Sequence, residues 1–199
     1  MYVLKKLSYD YDALEPFIDT HTLGLHKNKH QQNYLNKLNE LLIKNDYDFK
    51  YSIEKLPNHI TDFPEEDRES ILFNLGGVLN HDLYFNSMSP KKEKPSTLLI
   101  NEINNTYGNY ERFKEEFKQT ALSIKGSGYT FLVLDNDKLK IVNLLNQDNP
   151  YNYNYAPLIA LDMWEHAYYI NYENKKDIYI DNFFEIVDFS MANNYFKEA

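Results

Sequence analysis

A carboxylate and an imidazole stand four residues apart in the run Asp162-Met163-Trp164-Glu165-His166-Ala167-Tyr168-Tyr169, directly behind the aliphatic stretch Leu158-Ile159-Ala160-Leu161. Whatever the chain folds into must solve the problem this run poses. A carboxylate in so apolar a neighbourhood needs a partner, and a metal ion is a good one. If the run coils, Asp162 and His166 share one helix face. The competing reading is an ordinary i,i+4 pair on an exposed helix, against which Trp164, Ala167 and the apolar lead-in argue. Only six histidines occur. Two of them, His26 and His81, lie inside long apolar-periodic segments. Taken singly, each is more often a surface or hydrogen-bonded histidine than a ligand. Together, three neutral imidazoles and one carboxylate suit a redox-active first-row metal.

Composition narrows the chemistry. The chain has no cysteine among 199 residues, which excludes disulfides, thiolate metal sites, iron–sulfur clusters and cysteine nucleophiles. Any transition metal must therefore be held by nitrogen and oxygen. A 43% hydrophobic content is enough to bury a core without disulfides. The net charge of -9 argues against nucleic acid as a partner. No apolar run is long enough to span a bilayer. The first ten residues, Met1 to Asp10, lack the apolar core and cleavage site of a signal peptide. The expectation is a cytoplasmic protein without a membrane partner. The 18 tyrosines are read as compositional drift and carry no functional reading.

Along the chain, 1–18 reads as an extended lead-in. A helix is expected over about 20–44, where Leu35, Leu38 and Leu42 share a face and His26, His30 and Tyr34 recur every four residues. Residues 45–64 read as a connector. A second helix, 64–85, opens on the acidic Glu65-Glu66-Asp67, which complements its N-terminal dipole. Inside it the pair Gly76-Gly77 stands out, since each glycine costs roughly 1 kcal/mol against alanine in a helix interior. It signals a break, close helix packing, or room left at Gly77 for a group from elsewhere beside a metal. The charged, proline-bounded run Ser89 to Pro95 reads as a linker between two domains, 1–88 and 89–199. Ser96 or Thr97 caps a short helix reaching Ile103. Asn109 caps another, with Phe113, Phe117 and Ala121 on one face. Residues 129–134 and 139–145 form a hairpin around the polar turn 135–138, and 156–161 is a third strand delivering Asp162 at its end. The fold class is α+β: an N-terminal helical hairpin domain, then a C-terminal domain with a three-stranded antiparallel sheet and surrounding helices.

Several runs occur in a particular order across both halves. They are His26-Lys27-Asn28-Lys29-His30-Gln31-Gln32-Asn33-Tyr34, then Asn80-His81, Gly126-Ser127-Gly128, Asn146-Gln147-Asp148 and the run from Asp162 to Tyr169. On these motifs the chain resembles the iron/manganese superoxide dismutases over essentially its whole length. The resemblance implies that His26, His81, Asp162 and His166 bind one metal ion per subunit, with water or hydroxide as fifth ligand. It implies superoxide as substrate, converted to dioxygen and hydrogen peroxide while the metal alternates between trivalent and divalent states. Gln147 resembles the glutamine that hydrogen-bonds the metal-bound solvent. Gly77 occupies the place where iron-type members tend to carry that glutamine, so the pair Gln147 and Gly77 is the manganese-type combination. Manganese is the expected cofactor and iron the alternative.

The same resemblance makes Tyr34 and His30 the gateway pair of the substrate channel. Glu165 would reach His166 of the partner subunit and Tyr169 would reach His30 of the partner subunit, which implies a homodimer, with a tetramer as the alternative. Lys29, Lys175 and Lys176 are expected to form a positive funnel that offsets the acidic net charge; the bland reading is three solvated lysines. The chain also departs from the family. Phe85, Tyr129 and Phe131 stand where tryptophans are common, leaving Trp164 as the one tryptophan. Gln31 replaces a frequent second histidine, and Lys176 a frequent arginine. A carboxylate-bridged di-iron bundle would need paired Glu-x-x-His motifs, and the chain offers no such pair. A non-catalytic protein on the same scaffold would be expected to have lost a ligand or Gln147.

Overall fold

The computed structural model describes residues 1–196. Two long helical segments form a hairpin. The first comprises α1 (Thr20–Leu25), a π-helical turn (His26–Gln31) and α2 (Gln32–Lys44). The second is α3 (Glu65–Asn86), opened by the expected acidic first turn. Leu35, Leu38 and Leu42 of α2 meet Ile71, Leu75, Val78 and Leu79 of α3 in a small apolar core. The connector between the helices is less irregular than the sequence suggests. It contains a 3-10 segment, Ile53–Asp62, which sends Leu56 into that core.

The helix expected over 20–44 is present from Thr20 to Lys44, with a π turn in its middle that the expectation did not include. One extra residue is accommodated per turn there, a change that apolar periodicity over a long window does not resolve. The extended run Ser89 to Pro95 is pinned at several points: Ser89 N donates to Ile186 O at 3.0 Å and Glu93 N to Asp188 Oδ1 at 2.7 Å.

Beyond it, Ser96 caps α4 (Thr97–Tyr107), which runs a turn further than expected, to Gly108. Asn109 caps α5 (Tyr110–Leu122) through Arg112 N at 2.8 Å, and Phe113, Phe117 and Ala121 are buried along its inner face. Strands β1 (Gly128–Asp135), β2 (Lys138–Leu145) and β3 (Ala156–Asp162) form one antiparallel sheet in the order β2-β1-β3. The β1–β2 turn needs no glycine because Asn136 and Asp137 both take positive φ, 48° and 62°, the backbone of a tight two-residue hairpin turn. Pro157 sits on an edge strand at the register shift opposite Val133, where its missing N–H is tolerated. Helices α6 (Glu165–Tyr172), α7 (Lys176–Ile186) and α8 (Ser190–Tyr195) close the second core. Helix α3 packs against α2 on one side and β3 on the other, so its C-terminal half lies between the two cores.

Candidate metal centre

His26 opens the π turn, and its imidazole is buried. The turn alters which residues face inward: His26 and Gln31, five positions apart, are both buried, whereas His30 is exposed. The even four-residue stack of His26, His30 and Tyr34 is thus interrupted, and π turns recur at functional sites. Phe85 and Tyr84 pack on the His26 ring at 5.0 and 5.2 Å between centroids.

His81 is completely buried on α3. Its Nδ1 lies 2.5 Å from the carbonyl of Gly77, one turn earlier. A carbonyl only accepts, so Nδ1 carries the proton and Nε2 presents a lone pair. The two glycines serve different neighbours. A Cβ on Gly77 would fall 2.4 Å from Cγ of Tyr34, so the group from elsewhere is the Tyr34 ring; a Cβ on Gly76 would fall 1.9 Å from the carbonyl oxygen of Gln147.

Asp162 is the last residue of β3, and His166 lies in the first turn of α6. The two therefore meet across a strand-to-helix turn, with Asp162 at the end of the expected third strand rather than on one helix face with His166. The turn is held by Trp164 N, which donates to Asp162 Oδ1 at 2.8 Å, while Tyr179 Oη donates to the Asp162 carbonyl at 2.9 Å. The remaining carboxylate oxygen, Oδ2, lies 3.1 Å from His26 Nε2 and 3.4 Å from His166 Nε2. Trp164 lies over the His166 ring at 5.6 Å and donates its indole N–H to Asn146 O at 3.0 Å. Tyr129, opposite Asp162 in the sheet register, brings its hydroxyl to 3.4 Å from His81 Nδ1 and stacks on Phe131 at 5.9 Å.

One donor atom from each of His26, His81, Asp162 and His166 lies within 4.8 Å of all the others. The ring nitrogens His81 Nε2 and His166 Nε2 are buried without a hydrogen-bond partner; the 3.4 Å approach of His166 to Asp162 is an ion-pair distance rather than an aligned bond. Orphaned buried nitrogens converging on a carboxylate oxygen fit a cation that accepts their lone pairs. The electrostatics agree. Burial lowers His26 to about 4 and holds His81 well below the ordinary histidine value. Burial would raise Asp162, but the facing His166 and His26 outweigh it and hold the carboxyl below its usual range. All three are in their ligating forms near neutral pH. With imidazole and carboxylate donors and no thiolate, the set suits manganese or iron.

Around these donors, Gln147 Nε2 donates to Tyr34 Oη at 3.1 Å, and burial raises the Tyr34 phenol. Asn80, quoted in the sequence but given no role there, holds Gln147. Its Nδ2 lies 3.4 Å from Gln147 Oε1 and 3.0 Å from Asp148 O, while its Oδ1 accepts from Asn149 at 2.6 Å. The signal was a polar residue beside His81 in an otherwise apolar helix stretch. An open cleft of about 650 Å³ is lined by Lys29, His30, Tyr34, Lys37 and Phe73 among others. Lys175 and Lys176 are not on that wall; Lys176 Nζ lies over the Tyr168 ring at 5.7 Å. Lys37 takes a place the sequence reading did not give it. His30 stacks on His166 at 4.2 Å. Glu165 is exposed and Tyr169 is 52% exposed, with Ile170 beside it at 51%.

Comparison with known proteins covers almost the whole chain. Residues 1–89 match the family model described as the alpha-hairpin domain of iron/manganese superoxide dismutases, and residues 95–195 match that of their C-terminal domain. A curated relative from Listeria innocua serovar 6a, named superoxide dismutase [Mn], is 38% identical over 199 residues, covering 100% of this chain and 98% of that protein.

Proposed function

Because the chain belongs to the iron/manganese superoxide dismutases, we propose that it converts superoxide to dioxygen and hydrogen peroxide at one metal ion per subunit, held by His26, His81, Asp162 and His166. The observation that carries this is the convergence of four donor atoms with two unpartnered, buried imidazole nitrogens. When bound there, the ion would supply the one-electron chemistry that the side chains lack.

The protein's part is charge and protons. Asp162 offsets one positive charge, and the three imidazoles add none. Tyr34 Oη accepts from Gln147 Nε2, which leaves its own proton free to face the cleft. The raised phenol keeps that proton at neutral pH, so Tyr34 holds a proton beside the donor set, where conversion of superoxide to hydrogen peroxide consumes protons. Asn80 and Gly76 fix where the Gln147 amide stands. Lys29 and Lys37 on the cleft wall attract an anion despite the acidic molecule.

Manganese is the proposed metal, iron the alternative. The name of the Listeria innocua relative supports it, as does the backbone of Gln147 standing directly against Gly76. The exposed Glu165, Tyr169 and Ile170 next to His30 and His166 support a homodimer closing over this edge. We place the domain division at 88/89 and the protein in the cytoplasm. No helix among the described residues is long and apolar enough to cross a membrane.

The test is His81→Ala. It should lose bound metal and dismutation together and lower the Tm of the metal-loaded protein. Full activity retained in this variant would overturn the ligand assignment.

A further inference from the structure

Beside the four donors lies a second polar cluster that the reaction does not use. Lys27, the residue after His26, is only 6% exposed. Its Nζ donates to Gln31 Oε1 at 2.7 Å, lies 3.9 Å from Asp82 Oδ1 and sits 5.3 Å over the Phe85 ring. Gln31, fully buried, donates from Nε2 to Asp82 Oδ1 at 2.6 Å and to Val78 O at 3.1 Å. Val78 and Asp82 are one turn apart on α3 and bracket His81. Lys27 and Gln31 span the π turn that begins at His26.

We infer that Lys27, Gln31 and Asp82 are positioning residues that fasten the π turn carrying His26 to the α3 turn carrying His81, and so set the separation of those two imidazoles. The inference rests on the proposed role of both histidines as metal ligands. Three arguments support it. A π turn is a local departure from α geometry and persists only where its surroundings hold it. The Gln31 amide is used on both ends and ties one helix to the other beside the ligands. A buried ion pair is a poor source of stability, since well-packed apolar replacements are often neutral or stabilising; the geometric role gives it a reason to be there.

The experiment uses the full chain loaded with manganese(II). Three quantities are read for wild type, Gln31→Met and the double variant Lys27→Met/Asp82→Leu: the manganese(II) paramagnetic resonance spectrum, the rate of metal loss to a chelator, and the Tm of the apo-protein. Supporting residues around metal ligands typically change affinity 10–100-fold. Both variants should therefore lose metal at least about tenfold faster and show an altered spectrum, while the apo double variant keeps its Tm. A folded double variant with the wild-type spectrum and rate of loss would overturn the inference. If both variants fail to fold, Asp82→Asn, nearly isosteric, should still shift the spectrum, and an unchanged spectrum there counts against the positioning role. Failure of the wild type itself to bind manganese(II) or iron(II) would overturn the ligand assignment beneath it, a different result from unchanged variants.

Discussion

Gly76→Ala isolates the close approach on which the site geometry depends. A Cβ at this position would lie 1.9 Å from the Gln147 carbonyl oxygen. An ordinary carbon–oxygen contact is about 3.3 Å, so backbone must retreat by about 1.4 Å. The obstacle is main chain, which cannot swing aside as the end of a lysine would. Overpacking of this kind costs about 1–3 kcal/mol. Against it stands the gain of roughly 1 kcal/mol for replacing a helix-interior glycine by alanine. The net expectation is a loss of about 0–2 kcal/mol. Gly24 in α1 provides the control, since a Cβ there would meet nothing within 4 Å; Gly24→Ala should collect the gain without the clash. The two variants should thus differ by about 1–3 kcal/mol, and each kcal/mol moves Tm by about 2–4 °C in a chain of this size. Thermal unfolding of the apo-proteins measures the difference. Displacing Gln147 should also break its 3.1 Å bond to Tyr34 and slow dismutation by up to about 100-fold, the scale of a 1 Å misplacement. Equal, raised Tm values for both variants, with full activity in Gly76→Ala, would refute the reasoning.

Tyr34→Phe should keep the metal and lose activity most at high pH, where solvent protons are scarce; its pH–rate profile checks this, and a wild-type profile would remove Tyr34 as a proton holder. Glu165→Ala should raise the dimer dissociation constant, measured by sedimentation; an unchanged constant would remove that contact. The apo-protein should lose stability on acidification. His26 stays neutral in the fold down to about 4 against an ordinary 6.5, so between these values the unfolded chain binds more protons and is favoured as pH falls. Tm measured from pH 7 to pH 4 should decline, and a flat or rising curve would contradict the buried neutral imidazole.

Much of this was legible in residues and spacing. The caps at Ser96 and Asn109, the inward stripe of Phe113, Phe117 and Ala121, and the polar hairpin turn are local signals, and local structure follows them. The strand ending on Asp162 was legible as an aliphatic run leading to a carboxylate. What escaped depends on contacts between distant segments. The π turn inserts one residue into a pattern whose apolar positions do not register it. Gly76 looked like its neighbour Gly77 until the Gln147 backbone was seen against it. Lys37 reaches the cleft because α2 presents it there, while Lys176 leans on Tyr168; lysine positions in sequence carry no such directions. Asp82 was unremarkable as an acidic residue on a helix, and only the crossing of Gln31 onto α3 gives it a partner.

The most direct measurement is superoxide decay with apo, manganese-loaded and iron-loaded protein at matched metal occupancy. Rapid decay with manganese, little with iron and none with apo-protein is expected. No acceleration with either metal at full occupancy would contradict the assignment of the four-donor site as a dismutase centre.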